Sequence, residues 1–355
     1  MILHLIPAEK FTTDYINRIN KLFDFNKHYF VVYGANKKEY RLNEIDNMEC
    51  VRITFSLCAV RKELTKLVEQ SERIIFHSLF LKLIDLFLLN NLISRYNKSI
   101  AWNIWGKDLY EDYEKSKGLK AVLYIKPVVK EFLRKSLIGK MDIFITTGDY
   151  EALKERYKTK NGAVRLSAQY SYKFIKFEEN THHNGLNVMV GHSATETCRH
   201  IDTFRILERF VGKIRVYCPL SYPNDQEYIQ IVCKDGRRIF GKDFFPMTDF
   251  LTYEEYVKFL NTIDIGVFNN NRQQGMGNIT NLLFLGKKVY LSSDNTIRKS
   301  YSKNEYRIFD CEEIDETFLK LLSKEEALHN KDRIEYKFSD ENFYNEWRQV
   351  FEWTN

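Results

Sequence analysis

Short apolar runs alternate with amphipathic stretches along nearly the whole chain. Residues 2–6 (ILHLI), 28–34, 51–55, 73–78, 99–106 and 142–148 read as strands. Residues 13–23, 61–69 and 79–89, and a basic stretch that opens after Pro127, carry apolar positions at helical spacing. The strands are apolar on both faces, and helices separate them. That order predicts a parallel sheet covered by helices on both sides. A polar segment, EENTHHNG at 178–185, interrupts the pattern, which then restarts. Residues 187–190 (NVMV), 213–217 (KIRVY), 264–268 (DIGVF) and 288–291 (KVYL) are the next strands. Between them, Ser193 with Glu196 and Thr252 with Glu255 have capping-box spacing, and Asn224 with Glu227 is placed to cap a helix through Val232, with RRIF (237–240) following. Ile201, Phe204, Leu207 and Val211 supply the apolar stripe of the first of these helices.

The fold class expected is therefore α/β, with two doubly wound domains at 1–180 and 186–338. An aromatic-rich helix at 339–355 is placed to pack back across the junction. Two such domains in tandem would hold a ligand in a cleft at the carboxyl ends of their strands.

The stretch around which this organisation turns is NNNRQQGMGN, at 269–278, between the strand DIGVF and a helix carrying Ile279, Leu282, Leu283 and Leu285. Gly286 follows as a left-handed cap. A helix N-terminus attracts an anion, glycines let a diphosphate approach the main chain, and Arg272 adds a bidentate cation. The expected ligand is the diphosphate of an activated sugar. Arg272, Gln273 and Gln274 would bind its oxygens or the sugar hydroxyls, with Gly275, Gly277 and Asn278 lining the approach. Gly191, His192 and Ser193, at the end of NVMV, would face the same phosphate, and Tyr222 would stack on or hydrogen-bond the nucleotide.

Composition narrows the class. The chain has 355 residues, enough for two cores, and five prolines leave little room for disordered linkers. Its six cysteines contain no CxxC pair, which favours buried reduced thiols. Nothing at residues 1–6 reads as a signal peptide, and the most apolar run, at 79–89, is broken by Lys82 and Asp85. A net charge of +6 is modest for this length, but eight basic residues lie between Lys115 and Lys140, with Glu131 as the sole acid. In the helix after Pro127, Lys130 and Arg134 share one face, while Val129, Phe132, Leu133 and Leu137 can face the core. The bland reading is a solvated helix face. The sharper one is a surface that meets anionic lipid headgroups or a lipid-linked pyrophosphate. No GxGxxG, Walker loop or Asp-x-Asp is present, which argues against NAD enzymes, P-loop NTPases and metal-dependent sugar transferases. His182 and His183 are adjacent and read as a solvated loop. No metal site is expected.

WNIWGKDLY (102–110), VGHS (190–193), CPLSYPNDQEYI (218–229) and RQQGMGN (272–278) together resemble glycosyltransferase family 56. The motifs stand in the family's order, and the likeness runs from residue 2 to about 291. His192 stands where that family more often has Asn. The resemblance implies a GT-B fold of two Rossmann-like domains, the C-terminal one holding the donor without a divalent metal. It implies transfer of a 4-acetamido-4,6-dideoxygalactose unit from a dTDP-sugar to a polyprenyl-diphosphate-linked oligosaccharide, at the inner face of the cytoplasmic membrane. Residues 244–250 (FFPMTDF) would present backbone atoms to the base. Trp102, Trp105 and Tyr110 offer flat faces to an acceptor sugar, with one tryptophan expected to be core. Asp108 and His77 are the candidate general bases, a role that falls away if anomeric configuration is retained. Two other readings remain open: a transferase with another donor, such as UDP-N-acetylhexosamine or GDP-fucose, and a non-catalytic nucleotide- or nucleic-acid-binding protein.

Overall fold

The computed structural model describes residues 1–34, 40–106, 108–109, 125–147, 150–159, 161–168, 170, 174, 185–223, 225–271, 274–295, 298, 301 and 306–353. The chain divides into two compact units, Met1–Tyr172 with Lys337–Asn355, and Lys173–Tyr336.

The first unit is built on seven parallel strands: β1 (Ile2–Pro7), β2 (His28–Tyr33), β3 (Val51–Ile53), β4 (Arg73–His77), β5 (Ser99–Asn103), β6 (Ile143–Thr146) and β7 (Gly162–Arg165). Their order in the sheet is β3-β2-β1-β4-β5-β6-β7. The chain first winds outward from β1 and then returns to its other side, so the winding reverses between β1 and β4. That reversal opens a crevice at the strands' carboxyl ends. Helices α1 (Thr12–Leu22), α2 (Arg61–Gln70), α3 (Leu83–Tyr96), α4 (Ile125–Ile138) and α5 (Tyr150–Tyr157) cover the sheet. Two buried clusters line its faces, one around Leu5, Phe76, Trp102 and Phe144 and the other around Ile6, Tyr15, Phe30 and Ile75.

The second unit has six parallel strands: β8 (Leu186–Val190), β9 (Ile214–Pro219), β10 (Phe244–Met247), β11 (Ile265–Phe268), β12 (Lys288–Leu291) and β13 (Phe309–Asp310). Their order is β10-β9-β8-β11-β12-β13, with the reversal between β8 and β11. Its helices are α6 (His200–Leu207), α7 (Gln226–Phe240), α8 (Tyr253–Thr262), α9 (Met276–Phe284) and α10 (Lys324–Lys337). The last helix, α11 (Asp340–Phe351), belongs to the first unit, where Trp347 is fully buried and Arg18 donates to Asp340 at 2.8 Å.

The Thr252–Glu255 capping box forms as its spacing predicts. Other local expectations fail, each for a tertiary reason. Helix α3 starts at Leu83 rather than 79, because Ser78 is in a left-handed conformation and the Leu79 amide is taken by the Asp108 carboxylate. Helix α7 runs through RRIF, because Ile239 and Phe240 continue the buried stripe begun at Tyr228; its N-cap is Asp225, and Asn224 lies outside the described residues. Ser193 caps nothing. Helix α6 begins at His200 behind a short 3-10 turn, and the Ser193 hydroxyl points inward.

The basic helix α4 buries only part of the face expected: Leu137 is fully buried and Leu133 packs against the core, but Val129 and Phe132 turn outward. Phe132 is 70% exposed and Val129 39%, whereas Arg134 is 1% exposed. The buried guanidinium donates to the carbonyls of Leu79 and Asp108 and to the Tyr157 hydroxyl. Those acceptors are distant in sequence, and they pull the arginine inside and turn the aromatic ring out. Lys115, Lys117 and Lys120 lie outside the described residues.

Candidate functional site

At the reversal point of the second sheet, the end of β8 meets the entry to α9. Gly191 takes a positive φ of 69° and donates its amide to the Val267 carbonyl at 3.0 Å. A methyl group there would stand 2.5 Å from His200 Nε2, so the backbone must pass bare. Gly275, the N-cap of α9, has φ 68°, and a methyl group on it would meet the His192 ring at 3.1 Å. The two loops are tied side to side. Thr197 Oγ1 donates to Gln274 Oε1 at 2.8 Å, and the Asn271 amide reaches the Thr197 carbonyl at 3.4 Å. The structure thus brings Gly191, His192, Ser193, Gln274 and Gly275 together, beside the positive end of the α9 dipole. Asn278 lies in the first turn of α9 and accepts from the Tyr256 hydroxyl at 2.9 Å, and Gly277 beside it is exposed. Tyr222 is 67% exposed, and its carbonyl accepts from the Ala194 amide at 2.8 Å. Arg272 and Gln273 lie outside the described residues.

Under this cradle is a polar knot that the motifs did not mark. Ser193 Oγ lies 3.1 Å from both His192 Nε2 and Thr195 Oγ1, and Cys198 Sγ lies 3.4 Å from His192 Nδ1. Burial alone would push the Cys198 thiol up, but hydrogen bonding and charge from His192, with bonds from Thr195 and Ser193, more than offset it and bring the pKa to about 6. Asn270 is fully buried alongside, its Nδ2 3.5 Å from His192 Nδ1 and its Oδ1 without a partner.

At the reversal point of the first sheet the expected chemistry is rearranged. Trp102 is fully buried, packed edge-on against Phe144, and cannot meet an acceptor; it is core because it sits inside β5. Trp105, beyond the strand, is half-buried, as the expectation of one core tryptophan required. Tyr110 lies outside the described residues. Asp108 is 1% exposed and clamps the turn: its oxygens accept from the amides of Leu79 and Trp105 and from Trp102 Nε1, at 2.9–3.0 Å. Burial raises its pKa, a shift that Arg134 and these donors oppose. With its lone pairs engaged and no solvent face, it is not presented to an acceptor hydroxyl as a base. His77 is fully buried, its pKa driven down to about 3 by desolvation, and both its nitrogens face other side chains. It too is removed from the surface. Among the described residues no group of three or more His, Cys, Asp or Glu side chains is placed to hold a metal ion.

Two parallel sheets, each with its winding reversal flanked by loops that hold the reactive-looking side chains, are the architecture of GT-B glycosyltransferases. Solved structures agree on the fold. Over 99% of this chain, a glycosyltransferase from Rickettsia africae superposes with a TM-score of 0.63 at 10% identity, covering 97% of that chain. HepE of Anabaena, solved with UDP and glucose, gives 0.60 at 10% identity over 99% of this chain and 98% of its own. Sucrose-phosphate synthase from Thermosynechococcus elongatus gives 0.59 at 11% identity, with the same coverage. A family model described as 4-alpha-L-fucosyltransferase, glycosyl transferase group 56, matches residues 11–355. The chain is a glycosyltransferase and belongs to that family.

Proposed function

We propose that the enzyme moves a 6-deoxy amino sugar of the 4-acetamido-4,6-dideoxygalactose type from a dTDP-linked donor to a polyprenyl-diphosphate-linked oligosaccharide in surface polysaccharide synthesis. The observation that carries the donor half is the closure of the Gly191-His192-Ser193 loop on the α9 N-terminus, with His192 seated against Gly275. Helix dipole, bare backbone and adjoining hydroxyls suit a diphosphate, and Arg272 and Gln273 are proposed to complete the grip. In the transfer, an acceptor hydroxyl oxygen bonds the anomeric carbon as the bond from that carbon to the diphosphate oxygen breaks. The hydroxyl proton leaves, and the departing negative charge is met by the helix end and Arg272. This scheme asks for no divalent metal. Incubation with dTDP-4-acetamido-4,6-dideoxygalactose and a synthetic polyprenyl-diphosphate disaccharide should give product that survives EDTA. No transfer from any dTDP-sugar would reject the donor.

A second donor class is favoured by the HepE complexes, which hold UDP or UDP-glucose. Thermal shift across dTDP, UDP and GDP separates the readings, since the preferred nucleotide raises Tm most.

A surface of the first unit supports the lipid half of this reading. Helices α3 and α4 pack together and expose Ile84, Phe87, Val128, Val129 and Phe132, with Lys82 and Lys135 on the flanks. Lys82 Nζ sits 4.3 Å over the ring of Phe55, itself 73% exposed. Among the described residues no helix is long and apolar enough to cross a membrane. An apolar ridge edged by lysines is suited to lie in the headgroup region of an anionic bilayer. Phosphatidylglycerol vesicles should sediment the enzyme and phosphatidylcholine vesicles should not. Phe87→Glu with Phe132→Glu should abolish the difference, and equal binding to both vesicles would reject this surface.

A further inference from the structure

Outside the carboxyl ends of β1, β4 and β5, three half-buried rings meet. Phe11 stacks on Tyr170 with centroids 5.1 Å apart and planes 20° apart. The Trp105 ring stands edge-on to both, 5.6 Å from Phe11 and 5.5 Å from Tyr170. Lys10 Nζ lies 5.3 Å from the Phe11 centroid. A stacked pair with a perpendicular wall is a ledge that fits the C–H face of a pyranose ring, and Lys10 beside Phe11 supplies a cation for a charged substituent.

Beneath the ledge a chain of histidines runs through the core. His77 Nδ1 lies 3.3 Å from the Tyr170 hydroxyl, His77 Nε2 3.0 Å from His4 Nδ1, and His4 Nε2 2.9 Å from His28 Nδ1. His28 borders a surface pocket shared with Met1, Asp24, Lys27 and Glu72. The proton positions along this chain follow from its upper end. Trp105 Nε1 and Asn103 Nδ2 both donate to the Tyr170 oxygen, and neither nitrogen can accept. With the Asn103 amide in this orientation the phenol's lone pairs are filled, and its own hydrogen goes to His77 Nδ1. Asn103 Nδ2 also reaches His77 Nδ1 at 3.3 Å, which requires the same acceptor. His77 therefore carries its proton on Nε2 and gives it to His4, and His4 in turn gives its Nε2 proton to His28. Burial keeps the rings neutral, so each has one donor and one acceptor, as the chain needs.

We propose that Phe11, Trp105 and Tyr170 form the subsite for an acceptor pyranose, and that His77, His4 and His28 are positioning residues that hold this ledge by fixing the Tyr170 proton. The proposal rests on the transferase reading for the identity of the sugar as acceptor, but its tests do not need turnover. In the full chain, 15N spectra of the imidazoles should show all three neutral with the proton on Nε2. A proton on Nδ1 of His77 overturns the positioning role. Trp105→Phe removes one donor to the phenol and should give mixed tautomers at His77, whereas unchanged spectra count against the chain. Saturation-transfer NMR with methyl N-acetyl-β-glucosaminide should show transfer from aromatic protons to the sugar's ring protons. Phe11→Ala should weaken that signal about five- to tenfold while leaving the nucleotide-induced Tm shift unchanged. Undiminished transfer in Phe11→Ala, or no aromatic transfer at all, overturns the subsite. A missing nucleotide shift with the sugar signal intact would instead overturn the donor reading.

Discussion

The carboxyl edges of the two sheets share a topology and differ in what they expose. In the second unit the edge is main chain and small polar groups: two glycines at positive φ, hydroxyls of Ser193, Thr195 and Thr197, and a helix end. In the first it is aromatic surface propped on buried imidazoles. A diphosphate carries dense charge and needs close, pre-aimed dipoles. A sugar ring bound through its apolar face needs flat hydrocarbon that does not move. The contrast supports the proposed division, donor at the second edge and acceptor at the first, and each prediction below bears on one edge while sparing the other.

The largest effect is expected at Asp108. Removing its carboxylate in Asp108→Ala leaves the Leu79 and Trp105 amides and the Trp102 indole short of a buried acceptor, and takes the negative charge away from beside the buried Arg134 guanidinium. The cost should be about 3–5 kcal/mol, read as a fall in Tm and in denaturation midpoint. Asp108→Asn, which keeps two acceptor sites, should lose clearly less. If Asp108→Ala instead folds normally and loses only turnover, the carboxylate is chemical after all, and the first edge is not built as described.

The histidine chain predicts the next effect, in pH. His77 and His28 titrate near 3 and 4 in the fold through burial, below the usual 6.5, and His4 lies well below it as well. At His28, Asp24 opposes part of the drop, while the N-terminus and Lys27 add to it. The unfolded chain therefore takes up protons near pH 6.5 that the folded chain refuses. Stability from these groups is complete above pH 6.5 and is lost as pH falls toward 4, by an amount on the order of a few kcal/mol. His4→Asn should flatten the denaturation profile between pH 6.5 and 4, relative to the wild type, and an unchanged slope would detach the chain from acid sensitivity.

These two sites also show where reading the chain as a string succeeds and fails. Strand and helix alternation was legible because parallel strands buried on both faces are short apolar runs, and 2–6, 28–34 and 288–291 are such runs. The glycine loop was legible because Gly275 needs a backbone that other residues resist. The histidine chain was not. In the parallel register His28 lies opposite Ile2, two places before His4, and His77 follows Phe76, which lies opposite Leu5. The three rings climb one face of the sheet in steps of two, a relation that exists only once the strand order is known. His4, a polar residue in an otherwise apolar strand, was the one local signal. Half of helix α4 escaped for a similar reason: periodicity placed Leu133 and Leu137 inward, but distant carbonyls drew Arg134 inside while Phe132 turned out.

On the donor edge, Gly275→Ala strains a positive φ and drives a methyl group to 3.1 Å from the His192 ring. Donor KM should rise about tenfold, with acceptor KM unchanged and stability down by about 1–2 kcal/mol. A rise in acceptor KM of the same size would dissolve the division of labour between the edges.

The smallest effect comes from Thr197→Val, which deletes the 2.8 Å bond to Gln274 while keeping the side chain's shape. That bond joins the 3-10 turn after Ser193 to the residue before Gly275, so it sets the spacing between the two walls of the cradle. Losing it should cost about 1 kcal/mol or less in stability and a few-fold in nucleotide affinity, measured as a smaller ligand-induced Tm shift. The acceptor-side readouts, from the His77 tautomer to the sugar's saturation transfer, should not move. Because so small a change touches neither core nor fold, it separates the two edges more cleanly than the larger substitutions: a pure affinity loss for nucleotide marks the cradle as the donor's seat, and an unaltered Tm shift would place the diphosphate elsewhere on the unit.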